Sequence, residues 1–382
     1  MIKYNYGMEM IVYMSKKNRN EDKSLLHFLE GFTIVLLLCM IVIFVLYSIN
    51  PSKVKETMNM LAQKIQLATE NIQETFGEKQ IKEDNLVFPE KEDLTGAQRY
   101  YYYQQLSQTG KKIYITIENN MEALKNGEDN IPLPPSLDED AKQNGKEYIA
   151  KEFQNAWDAF VTDRSEYFYI DSSKVCLVTK MITRASNVNY EFYISKGQNE
   201  NYFTKDFNSK ADVEKAVAEV ESIKAEVLQG ATGSNYEKIK YIHNWIVDNV
   251  KYDATASDNI SNIYGCLVNR KVVCEGYARA FKYLLDELDI PVVLVSGIAV
   301  GDDGKSERHA WNYVYINNNW YAIDTTWDDP IIIGNGRVDE KIKYKYFLKG
   351  SQTMSTDHTT IGQITKNGFE FEYPELSMED IL

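Results

Sequence analysis

Three short stretches in the last third of the chain hold side chains that can do chemistry together. Val273-Cys274-Glu275-Gly276-Tyr277-Ala278 supplies a thiol. Arg308-His309-Ala310-Trp311-Asn312 supplies an imidazole, and Ala322-Ile323-Asp324-Thr325-Thr326-Trp327 a carboxylate. A sulfur nucleophile, a base that activates it and an acid that orients the base are what acyl transfer through a thioester requires. Cys274 opens a run with Tyr277, Ala278, Phe281, Leu284, Leu285 and Leu288 at helical spacing, so it belongs at a helix start. The unpaired N–H groups and partial positive charge of a helix N-terminus favour thiolate over thiol. Gly276 and Ala278 would keep the first turn small, leaving the sulfur open to a substrate.

His309 begins a strand that turns at Asn317-Asn318, residues that tolerate the positive φ of a tight hairpin. If Ile316 pairs with Asn319, Trp311 falls opposite Asp324, and His309 and Asp324 become diagonal neighbours on one face. A slip of one residue would put them on opposite faces. Taken singly, a core cysteine, a satisfied structural histidine and a strand-end aspartate are the commoner readings. Their joint occurrence is what points to a site.

The motifs VCEGYARAF, HAWNYV and WYAIDTTWDDP, in this order, resemble the transglutaminase-like superfamily of papain-like thiol enzymes over about residues 235–330, in particular its membrane-anchored bacterial type. The resemblance implies Cys274 as nucleophile, His309 as general base and acid, and Asp324 as the orienting acid. It implies an α+β fold in which a Cys-bearing helix packs on an antiparallel sheet bearing the His and Asp. Hydrolysis of protein or peptide amide bonds is favoured. Cross-linking and a non-catalytic cell-surface binding or scaffold module are the alternatives. The tetrahedral intermediate needs an oxyanion donor; the backbone N–H of Cys274 and the Tyr264 hydroxyl are the candidates. Trp311 and Trp327 either wall the cleft or pack beneath it, and His358 reads as peripheral. No cofactor is implied. Animal transglutaminases use calcium, but their calcium-binding elements find no match here. No Cys or His cluster has zinc spacing, so no metal is expected.

Positioning these groups falls to the rest of the chain. Its 382 residues are 44% hydrophobic with a net charge of −14, an acidic balance that disfavours nucleic acid as a partner. Phe32 to Ile49 carries no charge and is long enough to span a bilayer. It lacks the small-residue cleavage site of a signal peptide, so an uncleaved anchor is expected. Lys16, Lys17, Arg19 and Lys23 before it slightly favour the N-terminus inside, with the catalytic part extracytoplasmic. Cys176, Cys266 and Cys274 leave an odd number of thiols beyond the membrane run. Val54, Met58, Leu61, Ile65, Ala68 and Ile72 form a short heptad seam: either a stalk that could make a homodimer or a single amphipathic helix. The organisation expected is a tail (1–30), a transmembrane helix (31–49), stalk and linker (50–95), a helical and β-meander region (96–230) and the catalytic domain (231–382). Within 96–230, a helix is expected to start near Gly96 and to carry Tyr100–Tyr103. Tyr167–Ile170, Val175–Ile182 and Tyr190–Ile194 are expected to form the meander, followed by a helix over Ala211–Leu228.

Overall fold

The computed structural model describes residues 100–381, apart from 185–186, 330–339 and 366. The apolar run of 31–49 and the heptads of 50–95 lie outside the described residues. Among those described, no helix is long and apolar enough to cross a membrane.

The upstream region is built on α1 (Gln108–Asn119), β1 (Ile131–Pro132), α2 (Lys146–Asp163), β2 (Cys176–Arg184) and β3 (Asn187–Ser195). The expected helix start near Gly96 lies outside the described residues; Tyr103–Gln105 is a 3-10 turn, and Ser107 caps α1 by accepting from the Gly110 N–H at 3.0 Å. The three-stranded sheet runs β1-β3-β2, so its third strand is Ile131–Pro132 and not Tyr167–Ile170. Three successive rings explain the difference. Tyr167 stacks on Phe160, Phe168 on Tyr264, and Tyr169 meets Phe203 edge-on, so the segment points three ways instead of alternating between two faces. Pro132, which has no N–H to give, sits on an edge strand.

Two longer helices follow, α3 (Lys210–Gly230) and α4 (Asn235–Asn249), the second opened by a Ser234–Glu237 capping box. The short parallel pair β4 (Lys251–Tyr252) and β5 (Lys271–Val272) leads into α5 (Cys274–Asp286). Behind α5 stands a four-stranded antiparallel sheet of β6 (Val292–Val300), β7 (Ser306–Ile316), β8 (Asn319–Ile323) and β9 (His358–Thr360), in the order β8-β7-β6-β9. The hairpin register is the expected one: Ile316 pairs with Asn319 and Asn312 with Ile323. Asn317 and Asn318 take φ of 52° and 61°.

The sheet is apolar on both faces. Val292 and Val314 join the apolar stripe of α5, with Tyr277, Phe281, Leu284 and Leu285, and α4 covers the same core. On the other face, Val293, Val295, Trp311 and Tyr313 share one continuous core with Tyr102, Tyr103, Ile113, Trp157 and Phe160 of the upstream region. The two regions are also stitched by polar contacts. The Tyr102 hydroxyl donates to Leu294 O, and Arg279 Nη1 on α5 donates to Val161 O at 2.7 Å.

Candidate active site

Cys274 stands at the first turn of α5, half-buried, in contact with Ala278, Leu294 and Ala310. The smallness of the first turn serves packing instead of substrate access. A Cβ on Gly276 would come within 2.5 Å of Val272 and 3.1 Å of Ile260 O, and Ala278 is buried against the sheet. Cys176 and Cys266 are buried and in no disulfide, and burial pushes Cys266 up to about 12.

His309 lies on β7 one residue from Ala310. Its Nε2 donates to Asp324 Oδ2 at 2.7 Å, and Cys274 is near enough to act on the imidazole. Burial alone would lower the imidazole's affinity for its proton. The Asp324 charge and hydrogen bond, with a smaller push from Cys274, outweigh it and raise His309 to about 10.

Asp324 is fully buried just past the end of β8. Its Oδ1 accepts from the Thr326 and Trp327 N–H groups at 2.9 and 3.2 Å. Its Oδ2 accepts from His309 and also from His358 Nε2, the latter at 3.2 Å. Four donors offset the desolvation of the buried charge, and with two imidazoles beside it the carboxyl is held well below the ordinary range despite its burial.

Of the other residues singled out in the sequence, Trp311 packs beneath the site. It is buried, lies beside His309 at 6.0 Å, and its indole edge fills the space left by Gly297. Trp327 is partly exposed and sits over His309 at 5.2 Å. Tyr264 is not brought to the site as an oxyanion donor, because its hydroxyl is committed to Glu219 Oε2 on α3 at 2.8 Å. Tyr252 is substantially exposed, and partial burial, with smaller effects of the nearby Cys274 and Glu307, raises its phenol above the usual range. His358, read as peripheral, is at the centre. Its strand has only three residues and no apolar alternation, so sequence pattern carried no signal for it. A second buried pair, His243 Nε2 and Asp328 Oδ2 at 2.9 Å, fastens α4 to the segment after Asp324. Among the described residues, His309, Asp324 and His358 are also the one group whose donor atoms are close enough to hold a cation. Each of the three is already engaged in the hydrogen bonds above.

A cavity of about 660 Å³ lies between α2 and the loop before Cys274. Glu275 and Arg279 of α5 line it, together with Trp157 and Phe168; Cys274 does not.

Residues 221–325 match the family model of the transglutaminase-like superfamily. This stretch is a transglutaminase-like domain. It contains Cys274, His309 and Asp324. Over 126 residues the chain is 30% identical to kyphoscoliosis peptidase of Mus musculus, covering 30% of this chain and 18% of the relative. The Homo sapiens protein of the same name is 28% identical over 131 residues, covering 31% and 19%. The chain thus spans less than a fifth of the curated relatives it matches. A solved TGase structure overlays 45% of this chain and 49% of its own at 14% identity, with a TM-score of 0.29.

Proposed function

We propose that the transglutaminase-like domain is a thiol hydrolase of protein or peptide amide bonds, with Cys274 as nucleophile, His309 as general base and acid, and Asp324 as the group that orients His309. The observation that carries this reading is a single imidazole held by a buried carboxylate and near enough to a helix-tip thiol to be influenced by it. In the reaction, the Cys274 thiol passes its proton to His309 and the sulfur adds to the amide carbonyl carbon. The Cys274 backbone N–H, at the tip of α5, faces the developing oxyanion. His309 then gives its Nδ1 proton to the leaving amine as the C–N bond breaks, and a thioester remains. Water, deprotonated by the same nitrogen, releases the acid and restores the thiol. Water is preferred to a lysine amine as acceptor because the curated relatives are named peptidases. The cavity lined by Glu275, the residue after Cys274, offers room for part of a polypeptide substrate. The uncharged run 32–49 supports anchoring of the chain in a membrane, with the domain on the outer side.

The test is a substrate profile of the chain against its Cys274→Ala variant, scoring peptide cleavage, glutamine deamidation and amine incorporation. Cleavage or deamidation that vanishes in the variant is expected. Amine incorporation as the dominant product would replace hydrolysis by cross-linking, and turnover retained in Cys274→Ala would remove the nucleophile. Iodoacetamide should label Cys274 faster than Cys176 and Cys266 at pH 7; equal, slow labelling of all three would sink the enzyme reading.

A further inference from the structure

The sheet brings a second imidazole to the carboxylate. Across β6, His309 pairs with Gly297, and His358 pairs with Ala299, two residues further on and therefore on the same face. Both intervening residues are small, so the two rings approach each other over β6 to 5.7 Å between centroids. Asp324 Oδ2 takes a hydrogen bond from each.

His358 is itself held on every side. Its Nδ1 meets Asp357 Oδ1 at 2.6 Å, and Asp357 Oδ2 accepts from the Tyr346 hydroxyl at 2.6 Å. Tyr346 closes the circuit, since its backbone O accepts from the Asp324 N–H at 3.2 Å. Trp327, Trp311 and Tyr346 surround the His358 ring, with centroids at 4.7, 5.0 and 5.0 Å. His358 is buried. It spends both nitrogens on carboxylates, one of them the carboxylate that orients His309.

We propose that His358 is a positioning residue: its Nε2–H fixes the Oδ2 lone pairs of Asp324, and thereby the tilt of His309 toward Cys274, while Asp357 and Tyr346 hold His358 in place. This rests on the proposed roles of Cys274, His309 and Asp324. Removing the ring would leave a hole among three aromatic side chains, into which Asp324 and His309 can turn.

The experiment uses iodoacetamide as probe on the full chain, with labelling of Cys274 resolved from Cys176 and Cys266 by peptide mass spectrometry at pH 6, alongside a thermal melt. His358→Ala should slow labelling of Cys274 by about tenfold, the effect expected of losing an outer-shell partner. His358→Gln keeps an N–H donor for Oδ2 and should recover most of that rate. Tyr346→Phe, which removes only the anchor of Asp357, should give a smaller loss in the same direction. Wild-type labelling of Cys274 in His358→Ala overturns the proposal. So does a loss that Gln fails to rescue, or one that tracks a collapsed melting temperature in both variants. Slow labelling in the wild type overturns the underlying enzyme reading instead, so the two failures are distinguishable.

Discussion

At Asp324 every lone-pair direction is used, and the geometry makes its charge indispensable. Asp324→Asn keeps the size but replaces an acceptor oxygen with an amide and removes the anion that holds the His309 proton. His309 should then fall from about 10 toward the ordinary histidine value of about 6.5. Turnover should drop by roughly a hundredfold or more, the scale on which orienting acids act, and Cys274 labelling should become steeply pH-dependent between pH 6 and 8. The same shift has a stability consequence. Because the folded-state value of His309 is raised, its contribution is complete below about pH 6.5 and is lost as pH rises through about 10. Melting temperatures of the wild type should therefore decline from pH 7 to pH 10, and Asp324→Asn should decline less over that window. Parallel curves would mean that the pair does not carry a folded-state proton.

The elements that position these side chains were legible in unequal measure. Cys274 at a helix start and His309 on the face of Asp324 followed from apolar spacing and from two asparagines that accept positive φ, because helix period and hairpin register are local rules. Beyond local rules the pattern was silent. The strand carrying His358 is three residues long and pairs with β6 across more than fifty intervening positions, and Tyr264 faces Glu219 only because α3 packs there. Gly276 shows a rule applied to the wrong partner: its smallness admits Val272 and a loop carbonyl, not substrate. β6 offers the sharpest test at this scale. A Cβ at Gly297 would meet Thr359 O at 2.2 Å and Trp311 at 2.6 Å, and the first of these is backbone, so β9 must move. Gly297→Ala should cost about 1–3 kcal/mol, the range for overpacking a core. It should also slow Cys274 labelling, because the strand displaced is the one that bears His358. A stable variant with unchanged labelling would show that β9 is not fixed by this contact.

Across the whole molecule, the family match ends where the more consequential packing begins. The matched stretch opens at residue 221, inside α3, yet one face of the four-stranded sheet is completed by residues far upstream of it. Val293, Val295, Trp311 and Tyr313 pack with Tyr102, Tyr103, Ile113, Trp157 and Phe160. Asp163, fully buried at the end of α2, accepts from the Tyr102 and Tyr103 N–H groups at 3.0 and 2.9 Å, and it also feels the charge of Lys282, the buried lysine of α5. A chain beginning at residue 231 would expose all four sheet residues. At about 1.5–3 kcal/mol for each large apolar side chain, the loss approaches the whole stability of an ordinary domain, about 5–15 kcal/mol. The exposed face includes Trp311, on which His309 rests, so the site would loosen with the core. A fragment of residues 231–382 should therefore bind a hydrophobic dye, melt without cooperativity and label Cys274 no faster than Cys266, whereas residues 96–382 should melt sharply. A sharp melt of the shorter fragment, within a few degrees of the longer one and with the same Cys274 reactivity, would mean that the upstream region is an accessory to a self-sufficient domain. The continuous core predicts the reverse: the upstream helices are the second wall of the sheet that bears His309.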